Sequence, residues 1–209
     1  MSESKHSVTY FGFRGRGEPI RVAFQLAGME FDNKTVTGAE FGAAKADGSL
    51  PYGSLPVFTP AGSDVVYGQS NAILRYVGKL TGHYPEDPLE ALLVDEVLDA
   101  VEETIGLLAP TFSMGDEEKI AARQALLEGA FGKKLAQINA RFALNADSVY
   151  LGTSLTIAEL KVSELVNWIL SGNLDGIPAE TITGGDYPAL AALHADVEAK
   201  RTAALPAEE

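Results

Sequence analysis

The spacing of hydrophobic residues changes near residue 84, and before that point strand and helix patterns are mixed. Val8, Tyr10 and Phe11 predict a short strand, and the apolar positions of 20–26, followed by Gly28, predict a helix with a glycine cap. FDNKTVT predicts a second strand, and LPVFT and VVYG predict a hairpin around the turn PAGSD. SNAILRYVGKLTG predicts a helix that places these residues on one face: Ala72, Ile73, Tyr76, Val77 and Leu80.

Beyond the acidic, proline-bounded segment 84–88 (YPEDP), nearly every segment has helical spacing. Helices are predicted within 89–110, 116–144, 153–170 and 187–205. The chain therefore divides into an α/β domain over 1–83, a linker over 84–88 and an all-helical domain over 89–209.

Composition then excludes several classes of function. With a net charge of −13, the chain repels nucleic acid and anionic membrane surfaces. It has no cysteine, which excludes disulfides, thiolate metal sites and cysteine nucleophiles, and its three histidines are too scattered to predict a metal site. The first ten residues lack the apolar core of a signal peptide, so we expect a cytoplasmic protein.

The stretch YFGFRGRGEPIR (10–21) has the strand, glycine loop and helix of a nucleotide site. The dinucleotide motif needs G-x-G-x-x-G, whereas Gly12, Gly15 and Gly17 read G-x-x-G-x-G, and no P-loop occurs in the chain. The alternatives are a simple turn before a helix or a site for some other anion. Arg14, Arg16 and Arg21 favour the anion because they cluster in an acidic protein.

This stretch, together with YGSLPVF (52–58), YGQSNAILRYV (67–77) and LTIAEL (155–160), resembles the cytosolic glutathione S-transferases that use a tyrosine, and among them the sigma class most closely. The resemblance implies a thioredoxin-like first domain, an all-α second domain and a homodimer with Tyr52 inserted into the partner. It also implies that glutathione is a substrate, that no metal is needed, and that detoxification is the physiological role.

The resemblance assigns residues to the glutathione site. The Tyr10 hydroxyl would donate to the thiolate, and Arg16 would support it. Of the other two arginines, Arg21 is expected to be structural and to pair with an acidic residue of the second domain, and Arg14 is expected to be exposed. A cis Leu55–Pro56 bond would present the Leu55 backbone to the cysteinyl unit. The remaining contacts would come from Phe41, Lys45, Gln69, Ser70 and Glu103.

Each assigned residue also has a purely structural interpretation, such as a packed tyrosine, an edge proline, an N-cap serine at Ser70 or a solvated Glu103. Four residues depart from the family pattern. Phe41 replaces a tryptophan, Ser54 replaces a glutamine, and Glu103 and Glu159 each replace an aspartate. The first two departures predict weaker binding of glutathione. Thr156 and Glu159 predict a capping box, which is structural under either interpretation.

The predicted function is conjugation of the glutathione thiolate to a hydrophobic electrophile. The electrophile pocket is predicted from Phe11, Phe13, Ile105, Leu108 and Phe112, although such apolar residues also fit a core. One alternative is a glutathione-dependent isomerase of the prostaglandin type. Another is a non-catalytic binding or structural protein, which the presence of Tyr10, Arg16, Gln69 and Ser70 disfavours.

Overall fold

The first strand, β1 (His6–Phe11), lies at the centre of a three-stranded sheet in a computed structural model that describes residues 4–205. It pairs in parallel with β2 (Phe31–Val36) and antiparallel with β3 (Val57–Thr59). Three helices belong to the same unit: α1 (Glu18–Leu26), α2 (Gly38–Ala46) and α3 (Ser70–Thr81). This unit reaches Pro85 and includes the described residues from Lys200 onward, and the second unit is Glu86–Ala199.

The helix α2 was not predicted. Thr37 and Glu40 form a capping box at its start, in which the Glu40 backbone N–H donates to Thr37 Oγ1 at 3.2 Å and the Thr37 N–H donates to Glu40 Oε2 at 2.7 Å. No residue of α2 is buried, so the helix has no apolar face for a periodicity search to detect.

The predicted hairpin is wrong in its second strand. Val65 and Val66 are exposed, and the VVYG segment contributes only an isolated bridge between Tyr67 and Phe58, with two backbone hydrogen bonds of 2.8 Å. The predicted face of α3 is also partly wrong: Ile73 and Val77 are buried as expected, but Leu74 is buried in place of the exposed Tyr76.

The second unit is helical, as predicted. Its elements are α4 (Pro88–Gly106), a 3-10 helix (Ala109–Ser113), α5 (Asp116–Glu128), α6 (Ala130–Ala143), α7 (Ile157–Leu170), α8 (Glu180–Thr183) and the greater part of α9 (Pro188–Ala204). No helix among residues 4–205 combines the length and the hydrophobicity needed to cross a membrane.

The predicted helical run 116–144 is two helices, which separate at Gly129. A side chain at Gly132 would place its Cβ 2.1 Å from the carbonyl oxygen of Leu127, so only glycine allows α6 to pass this close to the end of α5. The break depends on this close approach, and the sequence has an apolar period on both sides of it.

Candidate functional site

Tyr10 is the next-to-last residue of β1, and its side chain is 7% exposed. The phenolic oxygen accepts a hydrogen bond from the backbone N–H of Arg16 at 3.2 Å. The loop between β1 and α1 therefore turns back onto the tyrosine and holds its hydroxyl in place.

Gly15 and Gly17 are required because the Tyr10 side chain lies against them. A Cβ at Gly17 would lie 2.6 Å from the Tyr10 ring atoms Cγ and Cδ1, and a Cβ at Gly15 would lie 2.9 Å from its hydroxyl oxygen. Gly15 also has a φ of 141°, which side-chain-bearing residues rarely adopt. The glycines of this loop thus make room for an aromatic ring, and Gly12 has open space around it.

Arg21 organises the same loop from the first turns of α1. Its guanidinium donates to the carbonyl oxygens of Phe11 at 2.7 Å and Phe13 at 3.2 Å, and to Glu18 Oε2 at 3.2 Å. Its Cζ also lies 5.5 Å from the centre of the Tyr10 ring. The expected structural role of Arg21 is confirmed, but its acidic partner is Glu18 of the same helix and not a residue of the helical domain.

The other two arginines of the loop occupy different environments. Arg14 was expected to be exposed, but it is half-buried and its Nε lies 3.9 Å from Glu18 Oε1. Arg16 is exposed, and the contact described for it above is made by its backbone. Its assignment as a catalytic residue stays a prediction.

Three phenylalanines connect Tyr10 to α2. The rings of Phe11 and Phe13 stack with centroids 5.0 Å apart, and Phe11 meets Phe41 edge-on at 5.5 Å. The centre of the Tyr10 ring lies 5.3 Å from that of Phe11 and 5.9 Å from that of Phe13, both in an edge-on arrangement. Phe13 is 60% exposed, so this unit presents an apolar surface beside the tyrosine.

A loop around Tyr52 connects the end of α2 to the start of α3. The Lys45 side chain lies 3.7 Å from the position of a Cβ on Gly53, and Tyr52 Cδ2 lies 2.9 Å from that of a Cβ on Gly68. Gly68 immediately precedes Gln69 and Ser70. The loop around Tyr52 therefore contacts Lys45 on one side and the chain just before Gln69 on the other, and it brings these predicted glutathione-binding residues together.

The bond between Leu55 and Pro56 is cis, as the resemblance implied. Strand β3 begins at Val57, and the Leu55 N–H and C=O have no backbone hydrogen-bond partner among the described residues. The chain just before β3 therefore offers a donor and an acceptor to an extended ligand.

Gln69 precedes α3, and Ser70 is the first residue of the helix, so the prediction of Ser70 as N-cap is wrong. Gln69 has a φ of 72° and makes no side-chain capping bond. A non-glycine residue in this region costs about 1–3 kcal/mol, and such residues concentrate at binding sites. The first N–H groups of a helix also favour an anion.

The predicted residues of the second unit have varied surroundings. Glu103 is exposed on α4 and forms an ion pair with Lys134 of α6. Ile105 and Leu108 are buried, and Leu108 has no exposed surface. Phe112 is exposed, but its ring stacks on Trp168 at 5.9 Å and also contacts the Arg123 guanidinium at 5.1 Å. The role of Glu103 in binding glutathione, and that of Ile105, Leu108 and Phe112 in an electrophile pocket, stay predictions.

One buried residue of the site was missed from the sequence. Glu18 is 6% exposed and lies within 4 Å of Arg14, Arg21 and Arg201. A lone acid inside the basic stretch RGRGEPIR was the available signal. Over residues 4–205, no group of three or more histidine or acidic side chains could hold a metal ion.

Comparisons with known proteins agree with this arrangement. The family model described as "Glutathione S-transferase, N-terminal domain" matches residues 6–79. Glutathione S-transferase 1 of Ascaris suum is 31% identical over 183 residues, which cover 81% of this chain and 86% of that protein. The hematopoietic prostaglandin D synthase of Gallus gallus is 27% identical over 194 residues, with coverage of 93% and 90%.

A solved structure extends the similarity to the whole fold. Monomeric Na-GST-3, a glutathione S-transferase of Necator americanus, superposes with a TM-score of 0.76 at 28% identity, covering 98% of this chain and 99% of that one. The predicted fold class, a thioredoxin-like α/β domain followed by helices, is confirmed. The chain belongs to the glutathione S-transferase family, whose enzymes use glutathione as a substrate.

Proposed function

We propose that Tyr10 is the residue through which this glutathione S-transferase ionises the thiol of glutathione. The observation that carries the proposal is a hydrogen bond that fixes the phenolic oxygen, which accepts from the backbone N–H of Arg16 at 3.2 Å. A hydroxyl that accepts one hydrogen bond becomes a stronger donor through its own proton, because hydrogen bonds in a chain polarise one another. The Tyr10 O–H would donate to the thiolate, which then attacks the electrophile.

The rest of the tripeptide would bind along the groups that the Tyr52 loop brings together. The Leu55 backbone would pair with the cysteinyl unit, and the ammonium of exposed Lys45 would face the glycyl carboxylate. The γ-glutamyl carboxylate would bind at Gln69 and the N-terminus of α3. These local donors and one cation offset the repulsion that a chain of charge −13 exerts on an anionic peptide.

The magnitude of one hydrogen bond fits the required effect. Lowering a thiol pKa from about 8.5 by roughly two units needs about 2.7 kcal/mol of differential stabilisation. A hydrogen bond to a charged acceptor supplies about 1.5–3 kcal/mol. A single well-placed phenol is therefore sufficient for most of the shift.

The test is Tyr10→Phe, which removes the hydroxyl and keeps the ring that packs on Gly15 and Gly17. Conjugation of a chloronitrobenzene at neutral pH should fall by about one to two orders of magnitude, because ~1.5–3 kcal/mol of thiolate stabilisation is lost. The thiolate absorbance of bound glutathione should titrate at higher pH, while glutathione affinity changes much less. Equal activity of the two proteins at neutral pH would remove Tyr10 from the mechanism.

A second candidate is a glutathione-dependent isomerase that uses the same thiolate. It is favoured by the similarity to the Gallus gallus hematopoietic prostaglandin D synthase over 93% of this chain. Incubating the enzyme and glutathione with a prostaglandin endoperoxide separates the candidates, because an isomerase regenerates glutathione and a transferase consumes it.

The identity of the electrophile and the biological setting belong to the same proposal. We place a hydrophobic electrophile against the exposed ring of Phe13, beside Tyr10. The family resemblance supports a homodimer with Tyr52 at its interface, in which Glu103 reaches the glutathione of the partner. It also supports a cytoplasmic location and a role in detoxification.

A further inference from the structure

Glu18, the first residue of α1, uses its two carboxylate oxygens for different partners. Oε2 accepts from Arg21 Nη1 at 3.2 Å, whereas Oε1 lies 3.4 Å from Arg201 Nη2 and 3.9 Å from Arg14 Nε. Arg201 comes from the last turn of α9, at the opposite end of the chain. A buried carboxylate thus connects the end of the last helix to the start of the first.

From Glu18 the connection continues to the hydroxyl of Tyr10. Arg21 holds the carbonyl oxygens of Phe11 and Phe13, which begin the loop, and the Arg16 N–H later in that loop holds the phenolic oxygen. The Glu18 N–H also donates to the carbonyl of Gly15 at 2.9 Å. Both ends of the loop that touches Tyr10 are therefore fixed, one by Arg21 and the other by Glu18.

We propose that Arg201 is a positioning residue for Tyr10, which it orients through Glu18, Arg21 and the loop over residues 11–17. The inference rests on the proposed role of Tyr10 in ionising glutathione. Without Arg201, Glu18 Oε1 keeps only the longer contact to Arg14 among the distances given above, so the carboxylate turns more freely. Arg21 keeps the hydrogen bond from its Nε to Asn33 Oδ1 at 2.9 Å, but Nη1 loses a fixed carboxylate as its acceptor. The carbonyls of the loop are then fixed less firmly by Arg21, and the Arg16 N–H positions the phenolic oxygen less accurately.

Arg201→Met is the main variant, because it removes the guanidinium and keeps an unbranched side chain. We expect kcat/KM for conjugation at neutral pH to fall by about three- to tenfold, with most of the loss in kcat, since an interaction that acts on the reacting thiol changes kcat more than KM. The acidic limb of the pH–rate profile should move to higher pH. Arg201→Lys, which keeps a cation near Glu18, should recover part of the loss.

Two comparisons separate positioning from simple stability. Lys133→Met makes the same change of charge on an exposed residue of α6 and should leave the pH–rate profile unchanged. In a Tyr10→Phe background, Arg201→Met should cause no further loss, because residues that act as one unit are not additive.

An unchanged pH–rate profile of Arg201→Met, with or without a lower melting temperature, would overturn the inference. So would an equal loss from Arg201→Met with Tyr10 present and in the Tyr10→Phe background, which would show that Arg201 acts through another group. If Tyr10→Phe alone is fully active, the proposed function fails on its own measurement, independently of Arg201.

Discussion

At the scale of single residues, small side chains decide where the candidate catalytic group lies. The order of Gly12, Gly15 and Gly17 resembles a nucleotide loop from the sequence, but two of these glycines leave room for the Tyr10 ring. Gly17 has an ordinary helical conformation, with φ −83° and ψ −21°, so its requirement for glycine is purely steric. A short-range clash of this kind cannot be seen in a sequence pattern.

Gly17→Ala should displace Tyr10, because the new Cβ would lie 2.6 Å from the ring. Forcing a methyl group into a packed site costs about 1–3 kcal/mol, and we expect a loss of activity larger than this loss of stability implies. Thermal unfolding and conjugation kinetics measure the two effects. Gly12→Ala is the matched control, since nothing lies within 4 Å of its added Cβ. Full activity of Gly17→Ala would contradict the packing argument.

At the scale of elements, local hydrogen bonds define helix starts that the sequence can reveal. The capping box predicted at Thr156 and Glu159 is confirmed: the Ala158 N–H donates to Thr156 Oγ1 at 3.2 Å, and the Thr156 N–H donates to Glu159 Oε2 at 2.7 Å. Burial raises the pKa of the Glu159 carboxyl, and hydrogen bonds from Leu151 and Thr156 counteract this in part. The box begins α7, most of whose residues are buried.

Thr156→Ala should lower the free energy of unfolding by about 1 kcal/mol, the usual cost of losing an N-cap hydroxyl. Denaturant titration followed by the fluorescence of Trp168, on the same helix, measures the change. Thr156→Ser keeps the hydroxyl and should lie close to the unchanged protein. If the Ala and Ser variants are equally stable, the cap contributes nothing to the stability of α7.

At the scale of the whole molecule, Tyr52 carries the prediction of a homodimer. It is 67% exposed although it packs on Gly68, which leaves most of an aromatic ring available to a partner. Na-GST-3, a relative of similar fold, is monomeric, and this chain's own assembly is therefore the property to measure.

Tyr52→Ala should weaken the dimer, because truncating an aromatic anchor costs about 2 kcal/mol or more. Sedimentation velocity over a dilution series measures the dissociation constant. Tyr52→Phe keeps the ring and serves as the control, and it should remain dimeric. A monomeric unchanged protein, or an Ala variant that stays dimeric at the lowest concentration, would show that Tyr52 packs only on its own loop.

The sequence alone determined the elements whose signals are local. Strands β1 and β2, the apolar helices and the capping box of α7 follow from spacing within a few residues, where neighbouring side chains share a face. It missed α2, which has no buried face, and it predicted a strand at VVYG, whose valines are exposed. The cis Leu55–Pro56 bond came from the resemblance, since no local pattern predicts it.

Only the tertiary structure decided how the site is held. The Arg201–Glu18 contact joins the two ends of the chain, and Arg21 reaches back to the carbonyls of a loop that precedes its helix. The clash that reserves Gly17 for Tyr10 also involves residues on different elements. Such contacts depend on which segments meet in space, and hydrophobic periodicity does not encode that because it records only which face of each element is buried.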